Sequence, residues 1–236
     1  MEKSASILIV EDEVAIRVGL VDVLIYHGYQ VDYAEEGLSG LEKALTGKYD
    51  LILLDVMLPN IDGFNICTKI RKQDKAQPII MLTAKSADED IINGLTLGAD
   101  DYVSKPFSVA QLILRVKAVL RRSVPETTEQ TFIQLNGNRR IDLQNLCIQI
   151  GKENIPFTKR EIEVLEYLQR HNQRPVTREE LLSSVWGYSE EMEIETRTVD
   201  IHIARIRRKI EKDSKNPQFL ITVRGAGYRL ICDSVS

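Results

Sequence analysis

Leu51-Ile-Leu-Leu-Asp55 is an uninterrupted apolar run that ends on an acid, and Val56-Met-Leu-Pro-Asn-Ile-Asp-Gly63 carries the chain away through a turn. A short apolar run bounded by turn residues is the pattern of a strand buried on both faces. The pattern recurs in Ile7-Leu-Ile-Val10, closed by Glu11 and Asp12, and in Pro78 to Thr83. Gln30 to Ala34 and Asp101 to Ser104 read as two more strands. Helical spacing fills the intervals: Val14 to Tyr26, Gly37 to Leu45, Asp62 to Arg71, Ala87 to Leu97, and a last helix capped by Ser108 that runs to about Arg121. Strands buried on both faces and separated by helices imply an α/β doubly wound five-stranded parallel sheet. In such sheets ligands sit at the carboxyl ends of the strands, near a topological switch point. Chemistry is therefore expected just after Val10, Asp55, Thr83 and Ser104.

The pattern changes after residue 122. Ser123 to Thr131 is polar, contains Pro125 and has no apolar period, which reads as a linker. Phe132 to Phe157 alternates apolar and polar residues with turns at Asn136-Gly137 and Gly151, predicting a small antiparallel sheet. Lys159 to Arg170, Arg178 to Trp186 and Arg197 to Ile210 read as helices. Thr158 with Glu161, and Thr177 with Glu180, have the spacing of capping boxes. Phe219 to Val223 and Tyr228 to Cys232 flank Arg224-Gly-Ala-Gly227, a hairpin. Three helices followed by a hairpin describe an α+β winged helix-turn-helix. The domains are thus residues 1–122, a linker 123–131, and residues 132–236.

Composition fits two soluble domains. The 236 residues are 43% hydrophobic and 28% charged, which disfavours a disordered or fibrous chain. No apolar run approaches the roughly 18–20 residues of a membrane span, and no signal peptide is evident. Three widely spaced cysteines disfavour a disulfide framework or zinc site and fit a reducing cytoplasm. The net charge of -4 is uneven. Residues 1–122 carry 14 Lys+Arg against 18 Asp+Glu, whereas Thr196 to Arg229 carry nine basic and three acidic residues. A local basic patch on an acidic protein suggests a polyanion docking at one face; a solvated helix is the bland alternative.

Glu11, Asp12 and Asp55 converge on one rim of the inferred sheet. Crowded carboxylates repel each other and invite a hard divalent cation, Mg²⁺ being the natural occupant. N-capping would explain Glu11-Asp12 alone but leaves Asp55 at the end of a buried strand without a purpose. Thr83 offers a hydroxyl and Lys105 an ammonium at two further strand ends, and Lys105 precedes Pro106, where a cis bond is accessible. A carboxylate, a metal, a hydroxyl and a lysine suffice for phosphoryl transfer, which is mostly positioning and charge neutralisation.

ILIVEDE, LILLDVMLPNIDG, IIMLTAK and LGADDYVSKPF together resemble the receiver domain of two-component response regulators, a flavodoxin-like fold. The resemblance implies that Asp55 is the phosphoacceptor. It also implies that Glu11, Asp12, Asp55 and the Met57 carbonyl hold Mg²⁺, that Thr83 and Tyr102 form a switch pair, and that Lys105 meets the phosphoryl group. A haloacid-dehalogenase-type phosphatase would need a second acid where Met57 stands. Met57 offers nothing to orient water, so self-dephosphorylation is expected to be slow. The resemblance further implies a homodimer through a face that includes Ile91, Leu95, Asp100, Asp101, Gln111, Arg115, Lys117 and Arg122. Ile91 and Gln111 replace a common charge pair, leaving Asp101–Arg115 as the best remaining bridge.

In Arg197 to Ile210, Val199, Ile203, Ile206 and Ile210 share one helical face. Arg205, Arg208 and Lys209 are expected to project from the other side, with His202 near them. His202 is alternatively a structural histidine, Arg197 a partner of Asp200 or Glu193, and Tyr228 a core residue. FTKREIEVLEYL, VTREELLSSVWG, RTVDIHIARIRRKI and ITVRGAGYRL resemble the winged-helix effector of the OmpR/PhoB group. That resemblance implies a transcription factor on tandem direct repeats about one turn, ~10–10.5 bp, apart. The implied DNA-contacting set is Arg197, Thr198, His202, Arg205, Arg207, Arg208, Lys209 and Arg224. Within it Arg205 reads bases, Arg207 and Arg208 hold phosphates and Arg224 stands on the wing. Ala204 departs from a position that is often basic. The acidic loop Gly187 to Glu195 would face RNA polymerase. The expected partners are a sensor histidine kinase, double-stranded DNA, RNA polymerase and a second copy of the chain, with no membrane. The alternatives are a phosphorylation-independent regulator of the same fold and a protein-interaction adaptor.

Overall fold

The computed structural model describes residues 4–84, 94–120, 131–135, 139–188 and 196–232. Contacts divide the chain into two compact units, Met1–Arg122 and Ser123–Ser236. The first unit runs β1 (Ser6–Val10), α1 (Val14–Tyr26), β2 (Gln30–Ala34), α2 (Gly37–Ala44), β3 (Leu51–Asp55), α3 (Gly63–Gln73) and β4 (Ile79–Ala84). Residues 94–97 are helical (α4), and β5 (Asp101–Lys105) and α5 (Val109–Leu120) follow. The rest of the helix expected over Ala87 to Leu97, including Ile91, lies outside the described residues, as do Arg122 and the linker up to residue 130.

The five strands pair in parallel in the order β2-β1-β3-β4-β5. The order reverses at β1, between β2 and β3, which makes the carboxyl ends of β1 and β3 the switch-point crevice. Leu51 to Leu54 are fully buried because helices cover both faces of the sheet. Ile7, Ile9, Leu53, Leu82 and Val103 pack with Leu20 and Leu24 of α1 and Leu112 and Val116 of α5. Asp62 caps α3 by accepting from the Asn65 amide at 2.7 Å. Gly63 follows because a Cβ there would collide with the Asp55 carbonyl, so the turn after the phosphoacceptor candidate lies flat against its strand.

The second unit opens with the antiparallel sheet β6 (Phe132–Leu135), β7 (Arg139–Asp142), β8 (Cys147–Ile150) and β9 (Glu153–Pro156). It continues with α6 (Lys159–Arg170), α7 (Arg178–Leu181), α8 (Arg197–Ile210) and the hairpin β10 (Leu220–Val223) and β11 (Gly227–Leu230). Two local expectations change. The helix expected over Arg178 to Trp186 turns into a π-helical segment at Leu182–Trp186 and stops at Gly187, whose φ is 72°. Thr158 and Glu161 form the full capping box. Thr177 accepts from the Glu180 amide at 3.1 Å, but the Glu180 carboxylate turns away to Arg174 and Tyr167. A cationic neighbour outcompetes a backbone amide for that carboxylate.

Candidate phosphoacceptor pocket and nucleic-acid face

The parallel register assembles the pocket. Val10 pairs with Leu54 and Asp55 with Leu82, while Thr83 and Ala84 pair with Ser104 and Lys105. Glu11, Asp55, Thr83 and Lys105 therefore emerge at one edge. The carboxylates of Glu11, Asp12 and Asp55 each offer an oxygen within 4.8 Å of the others. Glu11 and Asp55 are buried, and Asp12 is exposed. The Lys105 Nζ donates to Glu11 Oε1 at 3.0 Å and lies 2.8 Å from Glu11 Oε2 and 3.0 Å from Asp55 Oδ2. The Lys105–Pro106 peptide is cis.

One ammonium does not answer three acids. Burial, reinforced by the Asp55 charge, raises the Glu11 pKa to about 7, against the opposing pull of Lys105. Burial works against the charged lysine, yet its hydrogen bonds to Glu11 and Asp55 and their charges raise its pKa. Thr83 Oγ1 is buried and neither donates nor accepts a hydrogen bond among the described residues. Buried polar atoms are ordinarily satisfied, so the Thr83 hydroxyl points to a ligand. An all-oxygen donor set with surplus negative charge fits Mg²⁺. The Met57 amide donates to Asp55 Oδ1 at 3.3 Å, and its side chain is exposed. Tyr102 is buried, with the Arg115 guanidinium 5.7 Å from its ring centre.

Several residues expected on a partner-facing surface are engaged within the chain. Arg115 donates to both Asp101 oxygens at 2.9 Å, with Asp101 fully buried. Asp100 is buried against Arg71 at 2.9 Å and accepts the Ile79 amide. Leu95 is fully buried. Within the single chain these four are engaged internally: Arg115 of α5 reaches Asp101 on the edge strand β5, and Arg71 of α3 reaches Asp100 just before it. Gln111 and Lys117 are exposed.

The sequence reading missed Arg17, which is buried. Its Nη1 donates to the carbonyls of Glu11 and Asp12 at 2.9 and 3.0 Å, and its Nη2 to Glu35 Oε1 at 2.9 Å. The signal was present: Arg17, Leu20 and Leu24 recur at i, i+3 and i+7, placing a cation in the core-facing phase.

In the second unit, α8 buries more of its flanks than expected. Val199, Ile203, Ile206 and Ile210 are buried as foreseen. Arg205, however, is 5% exposed and ion-paired with Glu161 at 3.1 Å. Lys209 Nζ reaches Glu161 at 2.6 Å. Thr198 is fully buried. So is His202, which sits edge-on to Trp186 with its Nδ1 2.9 Å from the Thr198 carbonyl oxygen. Burial holds the His202 pKa well below its usual value. Arg205, Thr198, His202 and Lys209 therefore lie toward the core side of α8 rather than outward: Arg205 and Lys209 are drawn to the buried Glu161 of the capping box, and His202 packs on Trp186. Arg207 donates to the Leu220 carbonyl and Thr222 hydroxyl at 2.8 Å, tying α8 to the hairpin. Tyr228 is core, as expected, and its hydroxyl bonds Asp200, which also pairs with Arg178.

The outward stripe of α8 is Arg197, Ile201, Ala204 and Arg208, at spacings of four, three and four. Ala204 and Arg208 are exposed, and Arg197 and Ile201 half-buried. Arg224 is exposed beside Gly225, whose φ is 75°. Residues 189–195, with Glu190, Glu191, Glu193 and Glu195, lie outside the described residues.

Two family models match this chain. "Response regulator receiver domain" covers residues 7–117, and "Transcriptional regulatory protein, C terminal" covers residues 151–230. The response regulator ArlR of Staphylococcus haemolyticus is 43% identical over 94% of this chain and 98% of its own length. The alkaline phosphatase synthesis transcriptional regulatory protein PhoP of Bacillus subtilis is 44% identical over 95% of each. Among solved structures, a RitR variant superposes with a TM-score of 0.75 at 31% identity, covering 97% of this chain and 99% of that one.

Proposed function

The chain belongs to the two-component response regulators that join a receiver to an OmpR/PhoB-type DNA-binding effector, and on that premise we propose that phosphorylation of Asp55 switches it to bind promoter DNA as a dimer. The observation that carries this is the pocket: two buried carboxylates and one exposed, one lysine between them, and a buried hydroxyl without a partner. An Asp55 carboxylate oxygen forms the bond to phosphorus as the phosphorus–nitrogen bond to the kinase histidine breaks. The electron pair stays on the imidazole nitrogen, which then takes a proton. Glu11, Asp12, Asp55 and the Met57 carbonyl would hold Mg²⁺, which supplies charge neutralisation to the phosphoryl oxygens. Lys105 holds the developing charge, and Thr83 gains a hydrogen-bond acceptor. Thr83 turns toward the phosphoryl group and the already buried Tyr102 repacks with it, a population shift rather than a new fold. With Met57 exposed and apolar, the phosphoryl group is lost slowly to water.

The output is DNA recognition by α8 and the hairpin, in the cytoplasm, on tandem repeats, with RNA polymerase contacted by the loop before α8. We assign groove contact to Arg197, Ile201 and Ala204, phosphate contact to Arg208, and outer-strand contact to Arg224. The dimer face we assign to exposed α5 residues Gln111, Leu114 and Lys117. Labelling with acetyl phosphate and Mg²⁺, followed by protection of a selected DNA fragment, tests the reading. Asp55→Asn should remove labelling and the gain in DNA protection. Labelling that survives in Asp55→Asn without Mg²⁺ overturns it.

A further inference from the structure

We propose that Arg17 is the positioning residue of the metal site, setting Glu11 and Asp12 without drawing on the negative charge that attracts the cation; this rests on the Mg²⁺ reading above. One guanidinium nitrogen donates to two consecutive carbonyls, Glu11 at 2.9 Å and Asp12 at 3.0 Å. The Glu11 amide is still held by the sheet, through the Ala34 carbonyl at 3.1 Å. Beyond that point the chain leaves the ladder, and Arg17 takes over. Fixing both carbonyls fixes the two peptides on either side of Asp12. The Glu11 and Asp12 carboxylates are thereby aimed at Asp55 before any cation arrives. Metal ligands held by such outer partners bind more tightly because less ordering remains to be done.

The charge arrangement is the second half of the argument. With all three carboxylates ionised and Lys105 charged, the pocket carries a surplus of two negative charges, the complement of a divalent cation. A bare guanidinium beside it would cancel half of that surplus. The Arg17 charge is instead taken up by Glu35 at 2.9 Å, whose side chain is 62% exposed. Glu35 thus neutralises Arg17 from the solvent side. Tyr33, with its ring centre 5.5 Å from the guanidinium carbon, covers the remaining face. Arginine suits this place because its fork spans two acceptors on one edge and a third on the other, which lysine cannot do.

The test is calorimetric Mg²⁺ titration of the full chain, paired with melting in EDTA. Arg17→Met should weaken Mg²⁺ binding about 10–100-fold, the usual cost of losing a ligand's supporting partner. Arg17→Lys should recover part of that loss. Glu35→Gln should melt like the parent in EDTA yet bind Mg²⁺ more weakly at low salt, with the deficit shrinking as salt screens the uncovered charge. Asp12→Asn is the control for the site itself. If Asp12→Asn binds Mg²⁺ like the parent, the metal reading fails. If Asp12→Asn loses binding while Arg17→Met stays within twofold of the parent, only the positioning role is overturned. Should Arg17→Met unfold, unchanged affinity in both Arg17→Lys and Glu35→Gln overturns it equally.

Discussion

Both halves of the molecule bury charge, and they balance it in opposite ways. In the receiver, Glu11 and Asp55 are buried beside exposed Asp12, and Lys105 is the cation between them. In the effector, Glu161 is fully buried, but Arg205, Lys209 and the Thr158 amide all turn toward it. Surplus buried charge is tolerated where a ligand will answer it. A buried acid answered by cations from a neighbouring helix holds two helices together. The first arrangement is a site, and the second is a joint between α6 and α8.

The comparison breaks most sharply at Glu161. Glu161→Ala removes the capping box and strands Arg205, so the effector should lose about 3–5 kcal/mol, the cost of breaking a buried pair. The single tryptophan, Trp186, is buried in that domain and reports its unfolding in denaturant. Asp55→Asn, which relieves repulsion with Glu11, should leave the receiver as stable or more stable in EDTA. Equal destabilisation by both changes would erase the distinction between site and joint.

The two halves should also respond oppositely to pH. Glu11 is raised from 4.5 to about 7. Between those values the folded, metal-free receiver keeps a proton that the unfolded chain has released, so its stability falls as pH rises through that window. His202 is held well below 6.5. As pH falls through 6.5 the unfolded chain takes a proton that the folded effector refuses, so effector stability falls with acid. Circular dichroism in EDTA should show the first trend, and Trp186 fluorescence the second. Glu11→Gln and His202→Gln should each flatten its own curve and leave the other unchanged.

On DNA, the corrected face of α8 separates two arginines. Arg208→Ala should weaken binding to all sequences alike and lower the salt slope by about 1, as loss of one phosphate contact does. Arg205→Ala should instead shift the Trp186 unfolding midpoint, with its DNA defect following from stability. A salt slope lowered by Arg205→Ala, with the midpoint unmoved, would return that arginine to the DNA surface. The smallest effect belongs to Ile201 and Ala204, which present apolar surface suited to a thymine methyl. Replacing one contacted thymine by uracil should cost about 0.8 kcal/mol, roughly fourfold, the worth of one buried methylene-sized group. Ile201→Ala should make binding indifferent to that exchange.

The sequence by itself determined the parallel sheet, because runs such as Leu51 to Leu54 are too apolar to face water on either side. It also determined the meeting of Glu11, Asp12, Asp55, Thr83 and Lys105, since parallel strands separated by helices present their carboxyl ends on one edge. The packed face of α8 was legible for the same reason, from the period of Val199, Ile203, Ile206 and Ile210. Periodicity reports which side of a helix is packed, but it is silent on how far neighbours wrap around its flanks. Only the tertiary structure decided that Arg205 and His202, flanking that stripe, lie under Glu161 and Trp186, which leaves Arg197, Ile201, Ala204 and Arg208 outermost. It also decided that Asp101 and Arg115 spend their charges on each other. Opposite charges distant in the chain pair wherever packing brings them within reach, and that geometry belongs to the fold.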